Sequence, residues 1–227
     1  MIIGVPKEIK NNEKRVALTP YGALELIQSG HTVYIQKDAG LGSGFKDSLY
    51  IESGCQIINT IEEVYSLSRL IVKVKEPQPS EVELIKEGQL VFTFFHFAAD
   101  KSLTEGIIKS GSTAIAYETI ESSDGTLPIL IPMSEVAGRM SVQNGAKCLE
   151  GSMGGKGKLL SGVPGVEPAV VTVLGAGIVG TNAAKLAAGL GAHVNILDIN
   201  INRLRYLDDI MPENITTIYS NEHNLLK

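Results

Sequence analysis

The sequence predicts an α/β protein in two parts: an N-terminal domain with a parallel sheet, and a second domain holding one βαβαβ half of a doubly wound fold. Two observations predict this. Short apolar runs alternate with helical patterns along nearly the whole chain, which is the signature of right-handed βαβ units on a parallel sheet. Near the C-terminal side, a Gly-x-Gly-x-x-Gly run separates an apolar strand from a helix rich in small residues.

The elements follow in order. Ile2–Val5 reads as a first strand. Pro20–Ser29 reads as a helix with Leu24 and Ile27 on one face and Gly30 as its stop. Thr32–Gln36 is a strand, Lys46–Ser53 a short helix and Gln56–Asn59 a short strand. Ile61–Ser66 is helical. Leu70–Lys75 is a strand ended by Glu76-Pro77. Glu81–Lys86 is a helix, Gln89–Phe95 a strand, Lys101–Ser110 a helix and Ser112–Tyr117 a strand. A polar turn, Glu121–Gly125, precedes one long helix, Pro132–Leu149, with Ser134 near its start and Gly151 past its end. Gly151–Pro168 reads as a loop. Ala169–Leu174, His193–Asp198 and Ile215–Tyr219 are strands, separated by helices Ile178–Leu190 and Asn202–Ile210. The expected division is a substrate domain over 1–131, a connecting helix over 132–150, and a partial nucleotide domain over 151–227.

Composition sets the class. The 227 residues include 24 Gly, 9 Pro and no Trp, with 44% hydrophobic and 20% charged residues. These values exclude a disordered chain, a coiled coil and a collagen-like repeat. The formal net charge is -5 and no polybasic run is present. Neither nucleic acid nor a membrane surface is therefore an expected partner. No apolar stretch approaches the roughly 20 residues of a membrane span. MIIGVPKEIK lacks the layout of a secretory signal. Cys55 and Cys148 stand alone, without metal-ligand spacing, so no metal is expected. Isolated cysteines fit a reducing, cytoplasmic setting, and both read as small buried hydrophobes.

VVTVLGAGIVG, residues 170–180, places Gly175, Gly177 and Gly180 in Gly-x-Gly-x-x-Gly spacing between a strand and a helix. The next strand, HVNILD, ends in Asp198. That context meets the dinucleotide-binding (Rossmann) fingerprint. Gly175 allows the tight turn, Gly177 a close backbone approach to pyrophosphate, and Gly180 close helix–strand packing. The helix N-terminus offers N–H groups and a positive dipole end to phosphates. Asp198 suits ribose hydroxyls and repels a 2′-phosphate, favouring NAD over NADP. Arg203 either contacts the adenosine end or is a solvated helix residue. GGKG at 154–157 lacks Walker spacing and reads as a flexible loop.

Three further residues stand out in the first domain. Arg15 lies in a polar loop after the first strand, either as a ligand for an anion or as a surface residue. Lys73 and Lys75 alternate in LIVKVKEP, so both are expected on one strand face, with Lys75 at the strand end. Lys75 either meets a substrate or snorkels at a sheet edge. His96 follows VFTFF in what reads as an apolar setting. It is either a proton-transfer residue kept neutral there or a core histidine. Arg for a carboxylate, Lys for a carbonyl and His for a proton suit an oxo acid or amino acid, and NAD suits hydride transfer.

IGVPKEIKNNEKRVALTP, VKVKEP, FTFFHFAAD, IPMSEVAGRMSVQ, VTVLGAGIVGTNAA and LDIN, in this order, resemble the alanine dehydrogenase family and, more distantly, the NAD-binding subunit of proton-translocating transhydrogenase. The resemblance covers all 227 residues. It implies reversible oxidative deamination of L-alanine by NAD+ and water to pyruvate, ammonium and NADH. It implies that Arg15 grips the substrate carboxylate, Lys75 contacts the substrate near its reacting carbon, and His96 is the catalytic acid/base. It also implies nucleotide contacts from Ser134, Ile178, Val179, Asp198, Arg203 and Ser220, and assembly as a homohexamer. Members of that family are longer. Their further residues complete the nucleotide domain, add a catalytic Asp and return to the substrate domain. The expectation for this chain is therefore weak NAD binding, no turnover alone and exposed apolar faces. A transhydrogenase-like subunit, or a non-catalytic NAD-binding assembly subunit, is the alternative reading.

Overall fold

A computed structural model describes residues 1–226. The chain divides into two units, Met1–Leu127 and Pro128–Lys227. Lys227, the last residue of the expected nucleotide domain, lies outside the described residues.

The first unit contains, in chain order, β1 (Ile2–Val5), α1 (Pro20–Gln28), β2 (Thr32–Gln36), α2 (Asp47–Glu52), β3 (Gln56–Ile58) and α3 (Ile61–Leu67). β4 (Leu70–Val72), α4 (Pro79–Val82), β5 (Leu90–Thr93), α5 (Lys101–Ser110) and β6 (Thr113–Ala116) follow. The strands form one six-stranded sheet in the order β3-β2-β1-β4-β5-β6. Every pairing is parallel, with Ile3 opposite Val33 on one side and Leu70 on the other. The chain thus winds outward from β1 to β3, returns through α3, and winds outward again from β4 to β6. The reversal between β1 and β4 opens a crevice beyond their C-terminal ends, where ligands of open α/β sheets bind.

Local chemistry sets these elements. Thr19 caps α1 by accepting from Gly22 N–H, with Pro20 at the first helical position. Thr60 and Glu63 form a reciprocal capping box on α3. Asp100 caps α5, and Gly111 closes it in the left-handed conformation. One apolar cluster joins Val5, Ala23, Val33, Ile35, Tyr50 and Cys55. Another joins Val64, Tyr65, Ile71, Val91, Phe95 and Leu103.

Three boundaries differ from the sequence expectation around the crevice. The strand expected over Leu70–Lys75 ends at Val72, so Lys73 and Lys75 do not share a strand face. Lys73 is wholly buried, while Lys75 is partly exposed. The helix expected over Glu81–Lys86 is instead the single turn Pro79–Val82. Its start is set by Glu81, whose carboxylate accepts from Gln78 N–H at 2.8 Å while its other oxygen meets Lys73. The strand expected to reach Phe95 stops at Thr93, because His96 turns the chain through a left-handed conformation (φ 53°, ψ 40°).

The second unit begins with α6 (Ile131–Leu149) and continues through β7 (Val170–Leu174), α7 (Ile178–Gly189), β8 (His193–Asp198), α8 (Ile201–Ile210), β9 (Ile215–Tyr219) and the short α9 (Glu222–Leu225). The three strands pair in parallel in the order β7-β8-β9. The βαβαβ half expected from the glycine motif is therefore present. Its core is built from Ala183, Ala184, Ala187, Val194, Ile196, Leu204 and Leu207. α6 packs on α7 at Gly138, where a Cβ would strike the Val179 carbonyl. Val142 continues that contact. Cys148, expected to be buried, falls outside this spacing and is exposed, whereas Cys55 is buried as expected. β7 leaves Val170 and Leu174 exposed. Among the described residues no helix is long and apolar enough to cross a membrane.

The first unit organises its sheet around Lys73. The ammonium meets Glu8 at 3.1 Å and Glu81 at 2.6 Å, with all three side chains buried. The Glu8 carboxyl sits above its ordinary value because burial outweighs the attraction of Lys73. The folded unit thus keeps a proton that the unfolded chain has released, so this group lowers stability as pH rises from its unfolded pKa through its folded one. Removing the ammonium leaves two buried carboxylates unpaired. Lys73→Ala is expected to destabilise the protein by about 3–5 kcal/mol in urea unfolding at neutral pH. The loss should shrink as pH falls and the carboxylates take up protons; a loss under about 1 kcal/mol would show the triad to be a surface-like ion pair.

Candidate functional site

The C-terminal ends of β1, β4, β5 and β6 in the first unit carry the candidate substrate residues. Arg15 lies in the loop after β1 and is exposed. Glu13 holds its guanidinium from two sides, with Nε to Oε1 at 2.8 Å and Nη2 to Oε2 at 2.7 Å. The hydrogen bond from Arg15 pushes the Glu13 carboxyl down to about 2, and Lys75 adds to that shift. Glu13 thus stays ionised across the working range and fixes the plane of the guanidinium. A cleft of about 430 Å³ is lined by Lys7, Glu8, Glu13, Arg15 and Gly42.

Lys75 follows β4, which lies between β1 and β5, so it is not at a sheet edge. Its backbone N–H and that of Val74 both point at Glu8 Oε1, at 3.4 and 2.7 Å. The other Glu8 oxygen accepts from Lys73. Glu8 therefore sets the path of the loop that bears Lys75. Glu76, next in the chain, pairs with Lys10. Burial raises the Glu76 carboxyl, but the hydrogen bond and charge of Lys10, a backbone hydrogen bond and the Lys75 charge together outweigh it and the pKa falls.

His96 follows β5, the neighbour of β4. The sequence reading places it among apolar groups; the structure exposes it. Its left-handed backbone directs Phe95 into the core and the imidazole outward. The ring stacks at 6.1 Å on Phe94, which meets Tyr117 edge-on at 4.9 Å. Burial, with the Glu8 charge nearby, holds the Tyr117 hydroxyl well above its usual value. Glu118 accepts from His96 N–H at 2.6 Å and from Phe95 N–H at 3.3 Å.

The sequence reading misses Glu8, Glu13, Glu81 and Glu118. Lys73 is the one visible signal: a Lys two residues after Ile71, inside an apolar run, implies a buried carboxylate partner. Nothing in the local pattern says which carboxylates are its partners, because Glu8 lies 65 residues away.

The second unit gathers the candidate cofactor residues. Gly175 has φ 96°, and a Cβ on Gly180 would strike the Gly175 carbonyl. Apart from its own chain neighbours, no described residue comes within 4 Å of where a Gly177 Cβ would stand. No side chain caps α7 at Gly177, so the first N–H groups of the helix, including those of Ile178 and Val179, lack intrahelical partners. An open backbone face of this kind suits a pyrophosphate.

Asp198 reaches back from the end of β8 and accepts from Ala176 N–H at 2.6 Å and Asn200 N–H at 2.7 Å. These bonds, the one from Ala176 first, hold its carboxyl below the ordinary range. Arg203 grips the same loop from the other side: Nε donates to the Ala176 carbonyl at 2.9 Å and Nη2 to Thr181 Oγ1 at 2.9 Å. It is not a solvated helix residue. Ser220 N–H donates to the Asp198 carbonyl at 2.9 Å, which places Ser220 beside the motif. Ser134 lies one turn before Gly138 on α6 and so shares the face that packs against the start of α7. Among the described residues no group of three or more His, Cys, Asp or Glu side chains could hold a metal ion.

Comparison with known proteins identifies the family. The family model "Alanine dehydrogenase/PNT, N-terminal domain" matches residues 4–137, and "Alanine dehydrogenase/PNT, C-terminal domain" matches residues 141–227. The alanine dehydrogenase of Methanococcus maripaludis is 56% identical over 227 residues, covering 100% of this chain and 61% of that protein. The alanine dehydrogenase of Bacillus subtilis is 54% identical over 225 residues, covering 99% of this chain and 59% of that protein. A solved L-alanine dehydrogenase superposes with a TM-score of 0.93 at 50% identity, over 99% of this chain and 62% of its own. A transhydrogenase from Sinorhizobium meliloti shares the fold, with a TM-score of 0.81 at 23% identity over 99% of this chain and 63% of its own. The chain thus spans about three fifths of the length of the relatives it matches. With both of its units matched and its motifs built as the fold requires, the chain belongs to the alanine dehydrogenase/PNT family.

Proposed function

We propose that this chain carries the substrate-holding and dinucleotide-binding parts of an NAD-linked alanine dehydrogenase, which interconverts L-alanine, NAD+ and water with pyruvate, ammonium and NADH. The observation that supports this reading most is that Arg15, Lys75 and His96 follow the C-terminal ends of β1, β4 and β5, three neighbouring strands at the switch point of one parallel sheet. Cytoplasmic location and a homohexamer belong to the same proposal.

Each residue has a task that its chemistry suits. The Arg15 guanidinium, oriented by Glu13, offers paired donors to the substrate carboxylate. Lys75 presents an ammonium beside the reacting carbon, polarising the carbonyl or imine there. His96 takes or gives the proton as water adds and ammonia leaves. In the second unit, the loop from Gly175 to Gly180 and the start of α7 would hold the pyrophosphate, with Ser134, Asp198, Arg203 and Ser220 around the adenosine ribose. Bound there, the nicotinamide supplies the hydride acceptor. Asp198 sets the preference for NAD, since its charge opposes a 2′-phosphate.

Three measurements test the reading. Pyruvate titrated into the protein should bind roughly tenfold more weakly to Arg15→Lys, since a Lys cannot reproduce the paired donors. Asp198→Ala should lower NAD+ affinity roughly tenfold, the scale of one hydrogen bond to a charged group, and narrow the preference over NADP+. In an assay of alanine-dependent NADH formation by this chain extended with the remaining C-terminal part of its Methanococcus maripaludis relative, His96→Ala should lower kcat by roughly 10²–10⁴-fold while leaving pyruvate affinity nearly unchanged. Pyruvate binding indifferent to Arg15, or turnover indifferent to His96, would overturn it.

A further inference from the structure

We propose that Glu118 is the positioning residue for His96: its carboxylate holds the left-handed turn that aims the imidazole out of the sheet. The proposal rests on the reading of His96 as the acid/base group.

Among the described residues, Asn12, Asp38 and His96 are the non-glycine residues with positive φ. Asn and Asp are residue types that visit this conformation readily, and Asp38 N–H also meets the Asp47 carboxylate at 3.0 and 3.2 Å. His96, a bulkier residue, is held in the same way by a carboxylate more distant in sequence. Glu118 lies in the helical turn Tyr117–Thr119 that follows β6, and β6 pairs with β5. Its two carboxylate oxygens take the two consecutive N–H groups at the bend, His96 to Oε1 at 2.6 Å and Phe95 to Oε2 at 3.3 Å. Beyond the bend, the His96 carbonyl accepts from Ala99 N–H at 2.9 Å and starts the turn Phe97–Ala99. Phe95 is fully buried and stacks on Phe97 at 4.5 Å. The bend is thus anchored on both sides, and the side chain between the anchors is left projecting.

A carboxylate suits this task better than an amide. It offers two acceptors to two donors, and bonds to an ionised acceptor are shorter and stronger than neutral ones. Gln at 118 could accept one N–H but would turn its own amide donors toward the other. Strained backbone held by distant groups is a recurring feature of functional sites. The observed outlier falls at the residue for which the chemistry demands a fixed aim.

The test has two arms. Histidine-selective 15N labelling gives one backbone signal for each of the four histidines. In Glu118→Ala the His96 amide signal should move while His31, His193 and His223 stay in place. In the alanine assay of the same extended protein, Glu118→Ala should lower kcat by roughly 10²-fold, the scale of a misplaced catalytic group. The KM for alanine, whose carboxylate Arg15 would hold, should change by less than about twofold, and Glu118→Gln should fall between Ala and wild type. A structural role alone would instead lower the amount of folded protein and leave kcat per folded molecule unchanged, which overturns the proposal. An unmoved His96 signal overturns it as well. A wild-type rate that does not depend on His96 refutes the acid/base reading instead, and the labelled spectrum still decides whether Glu118 holds the turn.

Discussion

A Lys ammonium with no access to water is the constraint on which the first unit depends. Lys73 is 0% exposed, and an unpaired charge in such a place would be strongly destabilising. Glu8 and Glu81 answer that charge, and each brings a segment of chain with it. Glu8 ties the loop after β1 to the loop after β4. Glu81 ties α4 to the same point, with Tyr65 O–H donating to it at 3.4 Å. The pair of carboxylates therefore joins the two halves of the sheet at the place where strand order reverses. The desolvation of three charges is offset by short, well-directed bonds, and what the arrangement adds is register: Arg15 and Lys75 hang from segments that cannot move independently.

The same device recurs at other loops of the chain. A carboxylate from a distant segment takes backbone N–H groups just past the end of a strand. Glu8 does so for Val74 and Lys75, Glu118 for Phe95 and His96, and Asp198 for Ala176. Past the last ladder bond, backbone N–H groups have no strand partner, and a loop left so would sample many paths. An ionised acceptor fixes the path without filling the crevice with side chain. Arg203 completes the pattern in the second unit, gripping the carbonyl of the peptide unit that follows the one Asp198 holds by its N–H.

The sequence by itself determined a great deal. Alternating apolar runs gave the parallel strands, since a strand covered on both faces reads as a continuous apolar stretch. Gly175 and Gly180 marked the turn because the first takes a left-handed φ that favours glycine and a Cβ on the second would strike the Gly175 carbonyl. Arg15, Lys75 and His96 were legible as residues out of keeping with their surroundings, and the order of motifs identified the family. These features are local: each follows from a few neighbouring residues and the period of one element.

Only the tertiary structure decided which residues hold the site in place. Glu8 and Lys73 lie 65 residues apart, and Glu118 lies 22 residues beyond His96. The pairing of β1 with β4 and of β5 with β6 brings them together, and no local periodicity encodes it. The tertiary structure also overrode the strand pattern at Lys73 and Lys75, because burial of one charge next to two carboxylates outweighs alternation. It moved His96 from an apolar setting to the surface, because a left-handed residue at a strand end reverses the direction expected from the run before it. The sequence thus specified the elements and the chemical groups, while the contacts between sequence-distant carboxylates and strand-end amides specified where those groups point.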